Sequence, residues 1–321
     1  MEESFLNSEN VPKTDVSISI PESLSDILTN GIQQFGKMGA NYGIYATILE
    51  ELEQRLSEGR FHLAVLGQVK RGKSTFINAI LGEEVLPSSV IPLTAIPTLI
   101  KYGEKCELRI QYQDDRPDVV INSENVSVSV DQSFDDNNGQ TETLWLKQGL
   151  MEFVTEEKNP KNIKGLLQVE VSHHANILRD VVIIDTPGIG STYRHNTEVT
   201  NNFLDQCDAA LFLISVDPPI TEVELAFLKD IKTRMSKIFF ALNKIDYLTE
   251  TELAKALDFY RKLLTKEVSI DPQTPIFSIS ARKGLQAREA KDKGKWNDSG
   301  LAKINDHLLS FLAYEKNRVL K

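Results

Sequence analysis

The run GQVKRGKS, Gly67 to Ser74, constrains this 321-residue chain more than any other feature. An apolar segment of buried-strand type, Phe61 to Leu66, precedes it, and a helical pattern from Lys73 to Leu81 follows. A strand, a glycine-bearing loop and a helix in that order build a phosphate cradle. Gly67 and Gly72 let the backbone curl so that its N–H groups face an anion. Lys73 brings a point charge to β- and γ-phosphates. The Ser74 hydroxyl can ligate Mg2+, with Thr75 beside it in the same turn, and the helix N-terminus adds its dipole. Taken alone, this motif leaves adenine and guanine nucleotides both open.

The rest of the chain repeats the same alternation. Strand candidates are 99–102, 107–113, 118–121, 167–171, 181–184, 210–215, 237–242 and 276–280, with helical patterns at 73–81, 143–157, 197–205, 222–233 and 250–266. Strands alternating with helices predict an α/β fold with a mostly parallel, doubly wound sheet flanked by helices. Residues 1–20 read as a polar tail, and 21–60 as two helices with a break at the glycines between 31 and 43. Leu49 and Leu52 lie on an apolar stripe of heptad spacing. The polar, turn-rich stretch 114–139, with a short β candidate at 126–130, reads as a solvated part of an insertion over about 103–165. Residues 301–321 form a last helix with Leu308 and Leu312 on its stripe, and we expect both stripes to seek helical partners.

Composition excludes several classes. A 41% hydrophobic and 26% charged chain is that of a globular protein. Its net charge of −10 lacks the footprint of a general nucleic-acid binder. No apolar run reaches the ~20 residues of a membrane-crossing helix, and no secretory signal is visible. The two cysteines, Cys106 and Cys207, have no metal-ligand spacing, fit a reducing cytoplasm and read as plain buried residues. His173–His174 reads as a surface turn, and His195, in the expected switch segment after Gly188, could approach the nucleotide or be an ordinary mobile surface histidine.

Three further elements each follow a predicted strand. VVIIDTPG, Val181 to Gly188, delivers Asp185 to the sheet edge, where it can hold Mg2+ through water. The Gly188 amide can sense a γ-phosphate. In NKID, Asn243 to Asp246, a carboxylate at 246 can accept two hydrogen bonds from the N1–H and amine of guanine, which adenine does not offer. Asn243 would tie this loop to the phosphate loop, and the stem of Lys244 would cover the base. Ser280–Ala281–Arg282 can offer a backbone N–H to the guanine carbonyl oxygen.

These elements, in this order, resemble the G motifs of the GTPase superfamily. The segments LPSSVIPLTAIPTLIKYG (86–103), DTPGIGST (185–192) and ISVDPPITEVELAFL (214–228) narrow the likeness to the dynamin superfamily. The nearest branch is the bacterial dynamin-like proteins, which are related to mitofusins. The resemblance covers roughly 24–321 and implies a GTPase domain over 61–300, with helices at 21–60 and 301–321 forming a neck that stops short of a stalk. It implies Thr94 as the switch threonine closing on Mg2+ and the γ-phosphate, with Thr98 the competing position. It further implies GTP hydrolysis to GDP and phosphate, and nucleotide-dependent self-association through G domains. Membrane remodelling or tethering would act through regions outside this chain, at the inner face of the membrane. A soluble regulatory GTPase and a nucleotide-gated module that hardly hydrolyses are the alternatives. Two residues depart from common patterns. Ile189 stands where small signalling GTPases use a glutamine to orient water. Lys70 stands where distant relatives, the guanylate-binding proteins and atlastins, place an arginine finger, so Lys70, with Arg71 as alternate, is the candidate catalytic cation, a solvated loop cation being the other reading of Lys70; Arg71 also counts among the nucleotide-binding residues of the loop.

Overall fold

The computed structural model describes residues 24–39, 42–87, 96–122, 140–189, 200 and 203–319. Thr94, His195, the stretches 1–20 and 126–130, and most of the predicted helix 197–205 lie outside them. The chain forms two compact units that divide after Gly59. The first holds α1 (Leu24–Lys37) and α2 (Gly43–Glu58). Within it Leu49 packs on the backbone of Gly31, and Phe35, Tyr42 and Tyr45 form an aromatic cluster.

The second unit is built on a nine-stranded sheet. Its strands are β1 (Phe61–Leu66), β2 (Thr98–Tyr102), β3 (Glu107–Tyr112), β4 (Val119–Asn122), β5 (Leu166–His173), β6 (Val181–Asp185), β7 (Ala209–Ser215), β8 (Ile238–Asn243) and β9 (Ile276–Ser278). The order is β4-β3-β5-β2-β6-β1-β7-β8-β9. From β6 to β9 every pairing is parallel. β6 and β7 are buried along their whole length, as continuous apolar runs must be when helices cover both faces. β2 joins β6 antiparallel, β5 runs parallel to β2, and β3 and β4 complete the edge antiparallel. β3 and α4 (Gln140–Val154), read from the sequence as part of an insertion, are integral to this sheet and its core: Leu108, Ile110, Leu146 and Leu150 are fully buried.

Among the described residues, α3 (Lys73–Leu81), α5 (Glu222–Arg234), α6 (Glu250–Val268), α7 (Ala281–Glu289) and α8 (Lys293–Asp298) also connect or flank these strands. α5 and α6 both open on a Thr-x-x-Glu capping box, Thr221 with Glu224 and Thr249 with Glu252.

The C-terminal helix, α9 (Leu301–Val319), corrects one expectation. Its apolar stripe is not left for another helix. Leu308 and Leu312 are only 3% and 5% exposed, and Phe311 stacks edge-on against Phe61 and Phe239. The strands beneath present large aromatics toward that stripe, so the sheet itself supplies the partner. His307 sits against Phe239 and Phe277, and burial, with Lys237 adding to it, lowers its pKa. Such a histidine takes up its proton more readily unfolded than folded. Its contribution to stability is complete above the unfolded pKa of about 6.5 and is lost as pH falls through that value toward the lower folded one. Thermal unfolding should therefore occur at lower temperature at about pH 5.5 than at about pH 7.5, and His307→Leu should flatten that slope. An unchanged slope in the variant would remove His307 as its source.

Candidate functional site

Five of the segments singled out in the sequence land at the C-terminal ends of strands in the parallel part of the sheet. The phosphate loop follows β1, the DTPG segment β6, the DPP segment β7, NKID β8 and Ser280 β9. In an open α/β sheet this edge is where ligands bind.

Gly72 shows why the loop needs a glycine. Its φ is 90°, and a Cβ there would come within 2.5 Å of Asn243 Nδ2. Gly188 is equally confined, since a Cβ would strike Val69 Cγ2 at 2.5 Å and its amide nitrogen at 2.9 Å. Lys73 opens α3 with its Nζ 3.1 Å from the Gly67 carbonyl and 3.4 Å from that of Gln68. Burial lowers its pKa, against the opposing pull of Asp185 and Glu224 and with help from Arg71. A desolvated ammonium ringed by backbone dipoles is poised to gain from an incoming polyanion. Ser74 Oγ lies 3.1 Å from Asp185 Oδ2. Two oxygens this close, one anionic, suit a hard cation that takes oxygen ligands, so the pair fits Mg2+. Thr75 is half-buried in the same turn, and Lys70 is exposed at the loop tip with a positive φ of 67°.

The base-side elements are joined to this loop through one side chain. Asn243 is 3% exposed. Its Nδ2 donates to the Arg71 carbonyl at 2.9 Å, while its Oδ1 accepts from the amides of Lys244 at 2.8 Å and Ala281 at 3.0 Å. Lys244 Nζ donates to the Asp217 carbonyl at 2.9 Å, and burial lowers its pKa. The Asp246 carboxylate accepts from Ser280 Oγ at 2.7 Å and from Arg282 Nη2 at 3.0 Å. The Asp246 side chain is 4% exposed and that of Arg282 64%, so the arginine can swing away while the carboxylate stays.

Three placements could not be read from the sequence. Ile189 is fully buried in one apolar cluster with Leu66 and Phe212, and its amide donates to the Gly67 carbonyl at 3.4 Å. It underlies the phosphate loop and does not face solvent. Thr98 is buried within β2. Arg71, the alternate cation on sequence grounds, is fully buried and committed elsewhere. Its Nε donates to Glu224 Oε1 at 2.8 Å, one terminal nitrogen reaches Ser215 Oγ at 2.9 Å, and the other bonds the Pro219 carbonyl at 3.0 Å. Further bonds run to Glu224 Oε2 and the Pro218 carbonyl. Its guanidinium is thus a brace between the phosphate loop and the segment after β7, with no donor left for a phosphoryl group. Glu224 completes that brace by accepting from the Gln68 amide at 3.4 Å and from the Thr221 amide at 2.9 Å. Glu224 lies within the 214–228 segment, and its T-x-x-E capping pattern is the signal that could have found it.

This fold and site define a phosphate-loop domain of the GTPase class. The profile of the Dynamin family matches residues 63–246, more than half of the sequence, and the chain belongs to that family. It is 36% identical over 269 residues to an uncharacterized protein from the xynA 3′ region of Caldicellulosiruptor sp. (strain Rt8B.4), covering 84% of this chain and 60% of that one. It is 26% identical over 281 residues to the bacterial dynamin-like protein of Nostoc punctiforme, covering 82% of this chain and 38% of that one. A solved chain from an oligomerised bacterial dynamin pair shares the fold with a TM-score of 0.56 at 20% identity, covering 88% of this chain and 42% of its own. The chain therefore spans between about two fifths and three fifths of the length of these relatives. No helix among the described residues is long and apolar enough to cross a membrane.

Proposed function

We propose that this chain is a Mg2+-dependent GTP-binding and GTP-hydrolysing domain. The observation that carries the reading is Asn243, which joins the phosphate loop, the NKID loop and the Ala281 amide into one assembly. Phosphate selection and base selection are then held in a single rigid frame. Asp246 selects guanine, Lys244 covers its face, and the Ala281 amide lies beside the base. Gly67, Gly72, Lys73, Ser74 and Thr75 hold the phosphates. Ser74 and Asp185 would hold Mg2+, joined by Thr94 when the switch closes, and the ion would neutralise charge on the β- and γ-oxygens. Gly188 would report the γ-phosphate to the segment behind it.

The buried Ile189 cannot orient the attacking water. Efficient hydrolysis in this reading waits for a second G domain to reposition the switches, and Lys70 supplies the cation at the transferring phosphoryl group. Its exposure at the loop tip supports that role. Lys70→Ala should lower saturating turnover by about 10–100-fold, less than the ~10³–10⁵ of an arginine finger, and barely change nucleotide affinity. Unaltered turnover at saturating GTP would exclude it. Turnover per molecule should also rise with protein concentration. A rate independent of concentration favours the nucleotide-gated module with little hydrolysis, which the same Ile189 permits. The exposed apolar residues Ile44, Ile48 and Leu52 of α2 would join further helices of a neck, and the GTPase cycle would serve membrane remodelling or tethering.

A further inference from the structure

From the sequence alone His173–His174 reads as a surface turn and Cys106 as a core filler. The fold brings them together. β3 and β5 pair antiparallel with Glu107 opposite Ser172, which sets Cys106 beside the histidines at the end of β5. One donor atom from each of Cys106, His173 and His174 lies within 4.8 Å of the others. The two imidazoles stack with centroids 4.5 Å apart. From the C-terminal end of α3 comes Glu83, whose Oε1 is 2.7 Å from His173 Nε2 and 3.8 Å from His174 Nε2.

The hydrogen bonds define the state of His173. Its Nδ1 accepts from the Ala175 amide at 3.2 Å, so that nitrogen carries the lone pair and Nε2 carries the proton facing Glu83. A carboxylate behind one ring nitrogen, with a lone pair on the other, is the arrangement that orients metal-bound histidines. A thiolate with two imidazoles is the donor set of a borderline-soft cation. Bond lengths of about 2.0–2.3 Å around a tetrahedral ion put ligand atoms roughly 3.5 Å apart. The donor atoms lie within 4.8 Å of one another and must draw together to reach that spacing, and His174, 60% exposed, has room to turn. His173 and Cys106 are only 1% and 6% exposed, so two ligands come from the interior and the third closes from solvent. An ionic or hydrogen-bonding role for the pair His173–Glu83 alone would need neither Cys106 nor a second histidine.

We propose that Cys106, His173 and His174 form a Zn2+ site, with Glu83 as the orienting carboxylate and the fourth position open to solvent. On binding, the Cys106 thiol loses its proton to solvent, sulfur takes its place on the metal, and His173 Nδ1 exchanges the Ala175 N–H for the ion. The site would staple the end of the β3–β5 pair, through Glu83, to the far end of α3, the helix whose first turn carries Lys73 and Ser74. Nine residues of helix, about 13 Å, separate the two ends.

The test titrates the whole, tag-free, metal-depleted chain with Co2+ and then Zn2+, with Mg2+ and GDP present throughout to occupy the oxygen-ligand site. One equivalent of Co2+ should produce a thiolate-to-metal charge-transfer band in the near ultraviolet, which Zn2+ then removes. Cys106→Ser should abolish the band and Cys207→Ser should keep it. His174→Ala alters only an exposed side chain and should weaken Zn2+ binding at least about tenfold; Glu83→Gln should weaken it by about 10–100-fold. Absence of both the band and Zn2+ uptake in the parent chain overturns the proposal. So does uptake that Cys106→Ser and His174→Ala leave unchanged.

Discussion

Arg71→Ala is expected to destabilise the second unit by about 3–5 kcal/mol, because it leaves Glu224 as an uncompensated charge in the interior. Both side chains are completely excluded from solvent, and without the guanidinium the carboxylate keeps the pull of Lys73 but loses its hydrogen-bonded partner and has no water in its place. The reciprocal change, Glu224→Gln, keeps an acceptor for the Thr221 cap but strips the guanidinium of its partner, and should cost a comparable amount. The double variant should cost clearly less than the two singles together, since each single already breaks the same pair. Urea unfolding with an unchanged slope is the measurement. A loss below about 1 kcal/mol for Arg71→Ala would mean that Glu224 is not left as an uncompensated buried charge. The effect should reach the site as well. Glu224 also takes the Gln68 amide, so a loosened brace leaves the phosphate loop less ordered and nucleotide binding weaker.

Asp246→Asn should lower GTP affinity by at least about 10²-fold and open the site to xanthine nucleotides. A carboxylate offers two acceptors to the two donors of guanine. An amide offers one acceptor and one donor, which leaves a guanine N–H facing an N–H. Xanthine presents a donor beside a carbonyl and matches the amide instead. Ser280 Oγ, which donates to Asp246 Oδ1 in the parent, can donate equally to the amide oxygen of the variant, so the loop should keep its shape. Calorimetry with GDP and xanthosine diphosphate compares parent and variant directly. Equal GDP affinity in the parent and Asp246→Asn would show that the base is not read at this position.

How much of this was legible in the sequence depends on the distance over which each feature is determined. β1, β6, β7 and β8 are continuous apolar runs ended by a loop signal, and local burial alone dictates them. The two capping boxes are written in four consecutive residues each. Motif residues such as Lys73, Asp185 and Asn243 are legible because strand ends in a parallel sheet converge on one edge, whatever the intervening chain does. The apolar stripe of α9 was legible as well, but not what covers it. A stripe states that a partner exists; Phe61 and Phe239, on β1 and β8, are that partner only once the sheet has formed.

By itself, the sequence determined the strand–loop–helix phosphate unit, the order of the motifs and the parallel core, since each depends on residues adjacent in the chain. Only the tertiary structure decided the roles of Arg71, Ile189 and His173. The guanidinium of Arg71 resembles a free loop cation until Glu224, 153 positions later, folds against it. Ile189 becomes a support for the phosphate loop when its backbone bridges to Gln68. His173 gains Glu83 from 90 residues away. Each of these contacts closes a long loop, and the choice among many partners is made by the packing of the whole sheet rather than by local pattern.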